Sequence, residues 1–466
     1  VNADDPTAPA LDPQRLADLR RRVADLLPDV LTDLADLARI PSVSAPSFDP
    51  APVAASAERV AELLAGAGAN VQVVRAGDGH PAVIGRVDGP PGSPTVLLYA
   101  HHDVQPPGSD DDWDSPPFEP TRRGDRFFGR GVADDKAGVM AHVAALRVFE
   151  GRPPVNVIVF VEGEEEAGSR SLPALLAEHH DALACDALVI ADSGNWDIGT
   201  PALTTTLRGN VRVEVTVRTL DHGLHSGMFG GVVPDAITAM CRLLATLHDE
   251  RGEVAVAGLT ARDDTAVDYD EARVRAESGV LEGVDLLGSG SYTSRLWTKP
   301  ALTVIGIDAP SVDQAANLLT PSCRAKVSMR IAPDQDPQAA LAALTEHLQT
   351  NAPWGAQVEV GGPDVGSGVT TTTDGPYVAA ARAAFADAWQ RQPVDMGIGG
   401  SIPFIAQFAE AFPQATILVT GVEDPDTRAH GANESLHVPE FERVALAEAV
   451  LLERIGELGS NAGTAS

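Results

Sequence analysis

The sequence predicts an α/β protein in which a mainly parallel-sheet domain is interrupted by an inserted ferredoxin-like β-α-β-β-α-β domain. Three observations lead there. Continuous apolar runs such as Val96-Leu97-Leu98-Tyr99 and Val157-Ile158-Val159-Phe160-Val161 suit strands buried on both faces, and they alternate with helical periodicities. The style changes near Gly209, where Val211-Arg212-Val213-Glu214-Val215-Thr216-Val217 alternates strictly and so leaves one face solvated. Finally, 466 residues exceed one ordinary core; at roughly 150 residues per domain, two or three domains are expected. The boundaries fall at 1–208, 209–370 and 371–466.

Taken in order, residues 11–39 read as helical, with Leu16, Leu19, Val23, Leu26 and Leu27 at helical spacing and Pro28 interrupting. A second helix covers Ala54–Gly66 and ends in Gly66-Ala67-Gly68. Strands at 71–74, 82–87, 95–99, 155–161 and 187–191 then alternate with helices at 137–149 and 172–179. In the insertion, strand 211–217 is followed by a helix at 234–248, strands at 302–307 and 325–331, a helix at 337–348 and a strand at 357–360. That order is the ferredoxin-like one, with the Gly- and acid-rich stretch 251–300 as a long excursion inside it. After Asp374-Gly375-Pro376, a helix and the run Ala415–Val419 return to the first style.

Composition excludes several classes. Hydrophobic residues make up 44% and charged residues 21%, the profile of a globular chain. With 34 Lys and Arg against 66 Asp and Glu, the formal net charge of -32 repels phosphate backbones and anionic lipid. Neither nucleic acid nor membrane is an expected partner. Cys185, Cys241 and Cys323 are too widely spaced for a metal-binding pair or a disulfide framework, which fits a reducing compartment. The opening Val1-Asn2-Ala3-Asp4-Asp5 lacks a basic and apolar leader, and no apolar run approaches the ~20 residues of a span. The expectation is a cytoplasmic protein.

Four polar clusters stand where strands should end, the place where open α/β sheets build sites. His101-His102-Asp103 follows the strand at 95–99; alternation puts His101 and Asp103 on one side and His102 on the other. Gly129-Arg130-Gly131-Val132-Ala133-Asp134-Asp135-Lys136 precedes a helix, where one Asp is explained by the macrodipole and two beside a Gly-x-Gly turn less so. Glu162-Gly163-Glu164-Glu165-Glu166-Ala167-Gly168 packs four carboxylates into five positions, which repel unless solvated or held by cations. Asp192-Ser193-Gly194 ends another apolar run, where a lone Asp is ordinarily a turn residue. Each signal alone is weak. Together with His430 in a Gly-rich stretch, they form a mixed His and carboxylate set that suits Zn²⁺, Mn²⁺ or Co²⁺ better than Ca²⁺ or copper.

At these residues the chain resembles the di-zinc exopeptidase family of carnosinase-like dipeptidases, glutamate carboxypeptidases, aminoacylases and succinyl-diaminopimelate desuccinylase. The resemblance spans residues 30–460 and rests on motifs in the family's order. These are Leu98–Pro106, Gly129–Lys136, Glu162–Ser169, Asp192, Leu224-His225-Ser226-Gly227 and Gly399-Gly400-Ser401-Ile402-Pro403. It implies a catalytic domain with an inserted lid or dimerisation domain, two divalent ions per subunit, and a homodimer formed through the insert. By position, Asp134 would bridge the ions, His101 and Asp192 would complete one site, and Glu166 and His430 the other. Glu165 matches the general base and Asp103 the carboxylate behind His101, while His225 matches an imidazole that steadies the oxyanion, in many relatives from the neighbouring subunit. Arg330 resembles the clamp on a substrate carboxylate, with Asn317, Gly400 and Ser401 as further substrate contacts. In relatives the peptide corresponding to Asp134-Asp135 is cis.

The implied activity is a metal-dependent dipeptidase, favoured by Asp103-Val104-Gln105-Pro106 and by the Trp113-to-Phe118 segment. The alternative is an N-acyl amino acid deacylase with the same centre, so the partner is a small peptide or an acyl-amino acid. A catalytically silent binding protein is disfavoured, because every expected ligand and Glu165 are present. One segment departs from the family: many dipeptidase-like relatives read Arg-Glu-Gly-Gly-Ser-Ile-Pro where this chain has Gly397-Ile398-Gly399-Gly400-Ser401-Ile402-Pro403, which bears on substrate selectivity.

Overall fold

The structure, a computed structural model, describes residues 11–400 and 403–462. The chain forms two compact units, one drawn from residues up to Thr205, from Thr371–Met396 and from Phe404 onward, the other from Thr206–Thr370 and Gly397–Pro403.

The first unit is built on a twisted sheet whose centre is parallel. Seven of its strands run in the order Asn70–Val74, Ala82–Val87, Asn156–Glu162, Thr95–His101, Ala187–Ile190, Thr416–Val419 and Ala202–Leu207, and Val369–Thr370 and Val394–Ile398 pair with the last of them. The four from Asn156–Glu162 to Thr416–Val419 are parallel, and those flanking them pair antiparallel. The apolar runs explain the two buried faces. Val96, Leu98 and Ala100 share a core with Val157, Val159 and Val161 and with the helices Pro13–Ala38, Lys136–Val148, Pro376–Trp389 and Val438–Ala462. Tyr99 and Phe160 face the other way, where Tyr99 stacks on Phe404 at 4.2 Å and both rings meet Phe408. Each such fully buried ring stabilises the fold by about 1.5–3 kcal/mol.

One expectation is corrected here, and one sheet is added. Pro28 does not interrupt the first helix, which runs unbroken from Pro13 to Ala38. The missing N–H costs one helical hydrogen bond, but Leu19 and Val23 before the proline and Val30 and Leu34 after it are all buried in one core, which holds both halves in line. A three-stranded sheet of Ser435–His437, Arg126–Phe128 and Thr121–Arg123 was also not anticipated. It brings the chain near residue 128 to the chain near residue 435, in the register Ser435 with Phe128 and Leu436 with Phe127.

The second unit carries a four-stranded antiparallel sheet in the order Ala301–Asp308, Ser322–Ile331, Gly209–Arg218, Gln357–Gly366. The helices Ala236–Ala245 and Pro337–Thr350 pack on it, and the order along the chain is β-α-β-β-α-β, the ferredoxin-like arrangement. Val211, Val213, Val215 and Val217 point into that core, as their alternation requires. The excursion after Ala245 contains two short helices, Glu271–Ser278 and Tyr292–Trp297. Ala301–Asp308 is an edge strand whose last six residues are all exposed.

Candidate metal centre

Register sets the site. His101 is the last residue of its strand and stands beside Glu162, the last residue of the parallel neighbour, so the segments following both strands run side by side. That close passage needs glycine at 163, where a Cβ would lie 2.4 Å from the Pro81 carbonyl oxygen and 2.7 Å from the His102 ring. His102 is buried pointing away from the cluster, with Nε2 2.9 Å from the Pro81 carbonyl, and burial lowers its pKa to about 4. Asp192 follows the next parallel strand by two residues. Asp134 sits just before the helix Lys136–Val148, and the Asp134–Asp135 peptide is cis. Gly131, with φ +77°, turns this segment where a Cβ would meet Val104 at 2.5 Å.

Two three-residue groups result, each with donor atoms within 4.8 Å of one another: His101, Asp134 and Asp192, and Asp134, Glu166 and His430. His101 Nε2 lies 3.1 Å from Asp134 Oδ1 and 3.9 Å from Asp192 Oδ1. His430 Nε2 lies 2.9 Å from Asp134 Oδ2 and 3.3 Å from Glu166 Oε2. Asp134 therefore offers one oxygen to each group. Donors about 2 Å from a tetrahedral Zn²⁺ stand roughly 3.3 Å apart, so these spacings fit a divalent ion in each group.

The surrounding bonds orient these donors. His101 Nδ1 donates to the Asp103 backbone carbonyl at 3.0 Å, with the carboxylate Oδ1 farther off at 3.4 Å, which turns Nε2 toward Asp134. The Asp103 carboxylate instead accepts the backbone N–H of Glu165 (3.2 Å) and Glu166 (3.0 Å) and the hydroxyl of Ser44 (2.6 Å). It thereby ties the His101 strand to the Glu165–Glu166 turn. Glu166 is itself held by Gln105, whose backbone N–H reaches Oε1 at 3.1 Å and whose side-chain amide reaches Oε2 at 2.8 Å.

The electrostatics are those of a site short of positive charge. Burial raises Asp192 to about 7, with Asp134 and Glu166 adding repulsion, and burial also lifts Glu165 well above the carboxylate range. Hydrogen bonds to Asp134 and Glu166 raise His430 to about 11. Burial opposes charging of His101, yet Asp103, Asp134 and Asp192 together push it up. Burial disfavours the Asp134 anion, but its two histidine partners outweigh that and hold the pKa down.

His101, Asp103, Asp134, Glu165, Glu166, Asp192 and His430 thus come together in the first unit. The remaining predicted residues belong to the second unit. His225 is exposed at the start of a short helix, and Nδ1 accepts from the Gly227 N–H at 3.0 Å. Asn317 joins it there through its carbonyl, which accepts from the Ser226 N–H at 3.0 Å. Arg330 lies half-buried opposite Asn210 in the central pair of strands. Gly400 follows Gly399, whose carbonyl accepts from Arg208 Nε at 3.1 Å. Ser401 lies outside the described residues. The departure at 397 has a steric counterpart: a Cβ on Gly397 would stand 2.6 Å from Trp297, so no side chain fits there.

Sequence reasoning assigned no role to Gln105, Ser44, Arg130 or Glu434. Gln105 and Arg130 lie inside recognisable motifs, but Ser44 and Glu434 act across 59 and 304 residues of chain, and no local pattern marks them.

The profile of Peptidase family M20/M25/M40 matches residues 97–454. The chain is 35% identical over 372 residues to a cysteinylglycine-S-conjugate dipeptidase of Corynebacterium striatum, covering 78% of this chain and 82% of that protein. It is 28% identical over 384 residues to the beta-Ala-His dipeptidase of Rattus norvegicus, covering 77% and 76%. The crystal structure of human carnosine dipeptidase 1 superposes with a TM-score of 0.80 at 25% identity, over 96% of this chain and all of that one. The chain belongs to Peptidase family M20/M25/M40, and the mixed α/β fold is that of its members.

Proposed function

We propose that this member of the family is a dinuclear metallodipeptidase, with Zn²⁺ as first choice of ion and Mn²⁺ or Co²⁺ as substitutes. The observation that carries the reading is Asp134, whose two oxygens each face a separate imidazole and a further carboxylate. His101, Asp134 and Asp192 would hold one ion, and Asp134, Glu166 and His430 the other. When bound, the ions supply a water acidified toward neutral pH and a polarised amide carbonyl. Glu165 takes the proton from the attacking water and returns it to the leaving nitrogen. Asp103 keeps Glu165 and His101 in register through the bonds described above.

His225 donates to the developing oxyanion. Its Nδ1 accepts a backbone N–H, so the ring proton sits on Nε2, and the exposed imidazole offers the donor an oxyanion requires. Arg330 pairs with the substrate carboxylate, and Asn317, Gly400 and Ser401 line the substrate. A second copy of the chain joins through the inserted unit. The exposed Val304, Ile305 and Ile307 on its edge strand, with Met228 and Val232 near His225, support that reading. Three free cysteines fit a reducing cytoplasm, and among the described residues no helix is long and apolar enough to cross a membrane.

The dipeptidase names of the relatives favour peptides over acyl-amino acids as substrates. The test is metal content per chain together with hydrolysis of a panel of dipeptides and N-acyl amino acids, before and after chelation and Zn²⁺ restoration. Two ions per chain and restorable dipeptide cleavage are expected. Two ions with cleavage of acyl-amino acids alone would move the reading to a deacylase, and a chain that binds no metal would refute it.

A further inference from the structure

Two segments some 300 residues apart each deliver a donor to the candidate centre, Asp134 from one and His430 from the other. Between them lies an ion pair that the proposed chemistry does not use. Arg130 Nη1 donates to Glu434 Oε2 at 2.6 Å, with the two side chains 1% and 0% exposed. The Glu434 carboxylate also accepts the backbone N–H of Gly131 (3.0 Å), Ala133 (3.0 Å) and Asp134 itself (3.1 Å). The 131–134 segment is thereby wrapped around one carboxylate. In the opposite direction, Arg130 Nη2 donates to the carbonyls of His430 (3.0 Å) and Gly431 (3.3 Å). The Gly129 N–H closes the contact on the Glu434 carbonyl at 3.0 Å.

His430 has φ +62°, a left-handed conformation uncommon for residues that carry a Cβ, though His, like Asn and Asp, adopts it more often than most. Such a conformation is held by its surroundings, and the Arg130 guanidinium on the His430 carbonyl is one such restraint. Stability alone does not account for the pair, because a buried ion pair is commonly matched or bettered by apolar residues of similar volume.

We infer that Arg130 and Glu434 are positioning residues, an interlock that fixes the separation of Asp134 and His430 and so the geometry in which both groups share one carboxylate. The inference rests on the metal reading above. Neither residue touches substrate or ion in this role; each acts through the loop it holds.

The test compares Arg130→Lys and Glu434→Gln with Arg454→Met, which breaks a comparable pair to Asp387 between two helices carrying no donor. Lysine keeps the charge at 130 but not the fork that reaches His430. Zn²⁺ retained per chain is measured by dialysis against graded chelator, with Tm in excess Zn²⁺ recorded alongside. We expect Arg130→Lys and Glu434→Gln to lose about 10–100-fold in affinity for at least one ion, and Arg454→Met to keep wild-type affinity even where its Tm falls. If Glu434→Gln does not fold, Arg130→Lys decides. Wild-type affinity in Arg130→Lys, with only a lowered Tm, would overturn the positioning role. A wild-type chain that binds no Zn²⁺ would instead remove the metal reading itself.

Discussion

Replacing Gln105 by leucine removes the side-chain amide that holds a proposed ligand, together with its longer contact to the Glu166 carbonyl at 3.4 Å. The side-chain amide meets Glu166 Oε2 at 2.8 Å, the same oxygen that faces His430 at 3.3 Å. A hydrogen bond to a charged group contributes about 1.5–3 kcal/mol. Gln105 is half-buried and its backbone N–H remains on Oε1, so the lower end applies. About 1.5 kcal/mol is roughly tenfold, which meets the low end of the 10–100-fold typical when a partner behind a metal ligand is removed. Leucine preserves volume, so the fold should be little disturbed. Zn²⁺ affinity is read by chelator competition, and kcat/KM for a dipeptide at limiting and saturating Zn²⁺. The expected result is affinity lower by about tenfold and a rate defect at limiting Zn²⁺ that largely disappears at saturation. A defect that persists at saturation with unchanged affinity would refute the reasoning, because Gln105 would then act on the reaction and not on Glu166.

Glu165→Ala should keep its metal content while kcat falls by about 10²–10⁴-fold; a near-normal rate would remove Glu165 as the base. Mixing that variant with His225→Ala should restore part of the activity if the imidazole serves a neighbouring copy, and no recovery in verified mixed dimers would exclude it. For pH dependence, burial works against a charged His142, but Glu448 at 2.9 Å prevails and raises its pKa above the ordinary value. The folded state then holds the proton more tightly. The resulting stability is complete below about pH 6.5 and is lost as pH rises through the raised folded value. His142→Gln should flatten that fall in a Tm series across the window, whereas curves parallel to wild type would sink the assignment.

The parts of the centre that sequence exposes are those built locally. Each apolar strand run ends abruptly in polar residues, so His101, the Glu162–Glu166 cluster and Asp192 announce themselves, and parallel pairing then brings them to one end of the sheet. Alternation likewise gives the inward valines of the second unit. Elements without period or length were missed. Arg126–Phe128 is only three residues long, and Ala202–Leu207 carries a Thr204-Thr205-Thr206 run that blurs its apolar face. The Pro28 reading failed because packing on both sides of the proline outweighs one lost hydrogen bond. The pairing of Arg130 with Glu434 is illegible for a different reason. Nothing local to either marks a partner 304 residues away, and only the folded chain closes that pair.

What distinguishes this centre from an ordinary acidic patch is how its charge is balanced. Solvated carboxylates on a chain of net charge -32 need no partners. The carboxylates here are taken out of water, and that burial, with their mutual repulsion adding to it, shows in Asp192 at about 7 and in Glu165 lifted well above its usual range. The raised values of these carboxylates and of both imidazoles favour their protonated forms. Ligation as proposed would take the neutral imidazole and the bare carboxylate, so uptake of a divalent ion would displace protons. Asp134 is the exception that explains the rest. Its two histidine partners favour its anion in spite of burial, so the one carboxylate both groups share is already in the state that the proposed bridging role would require.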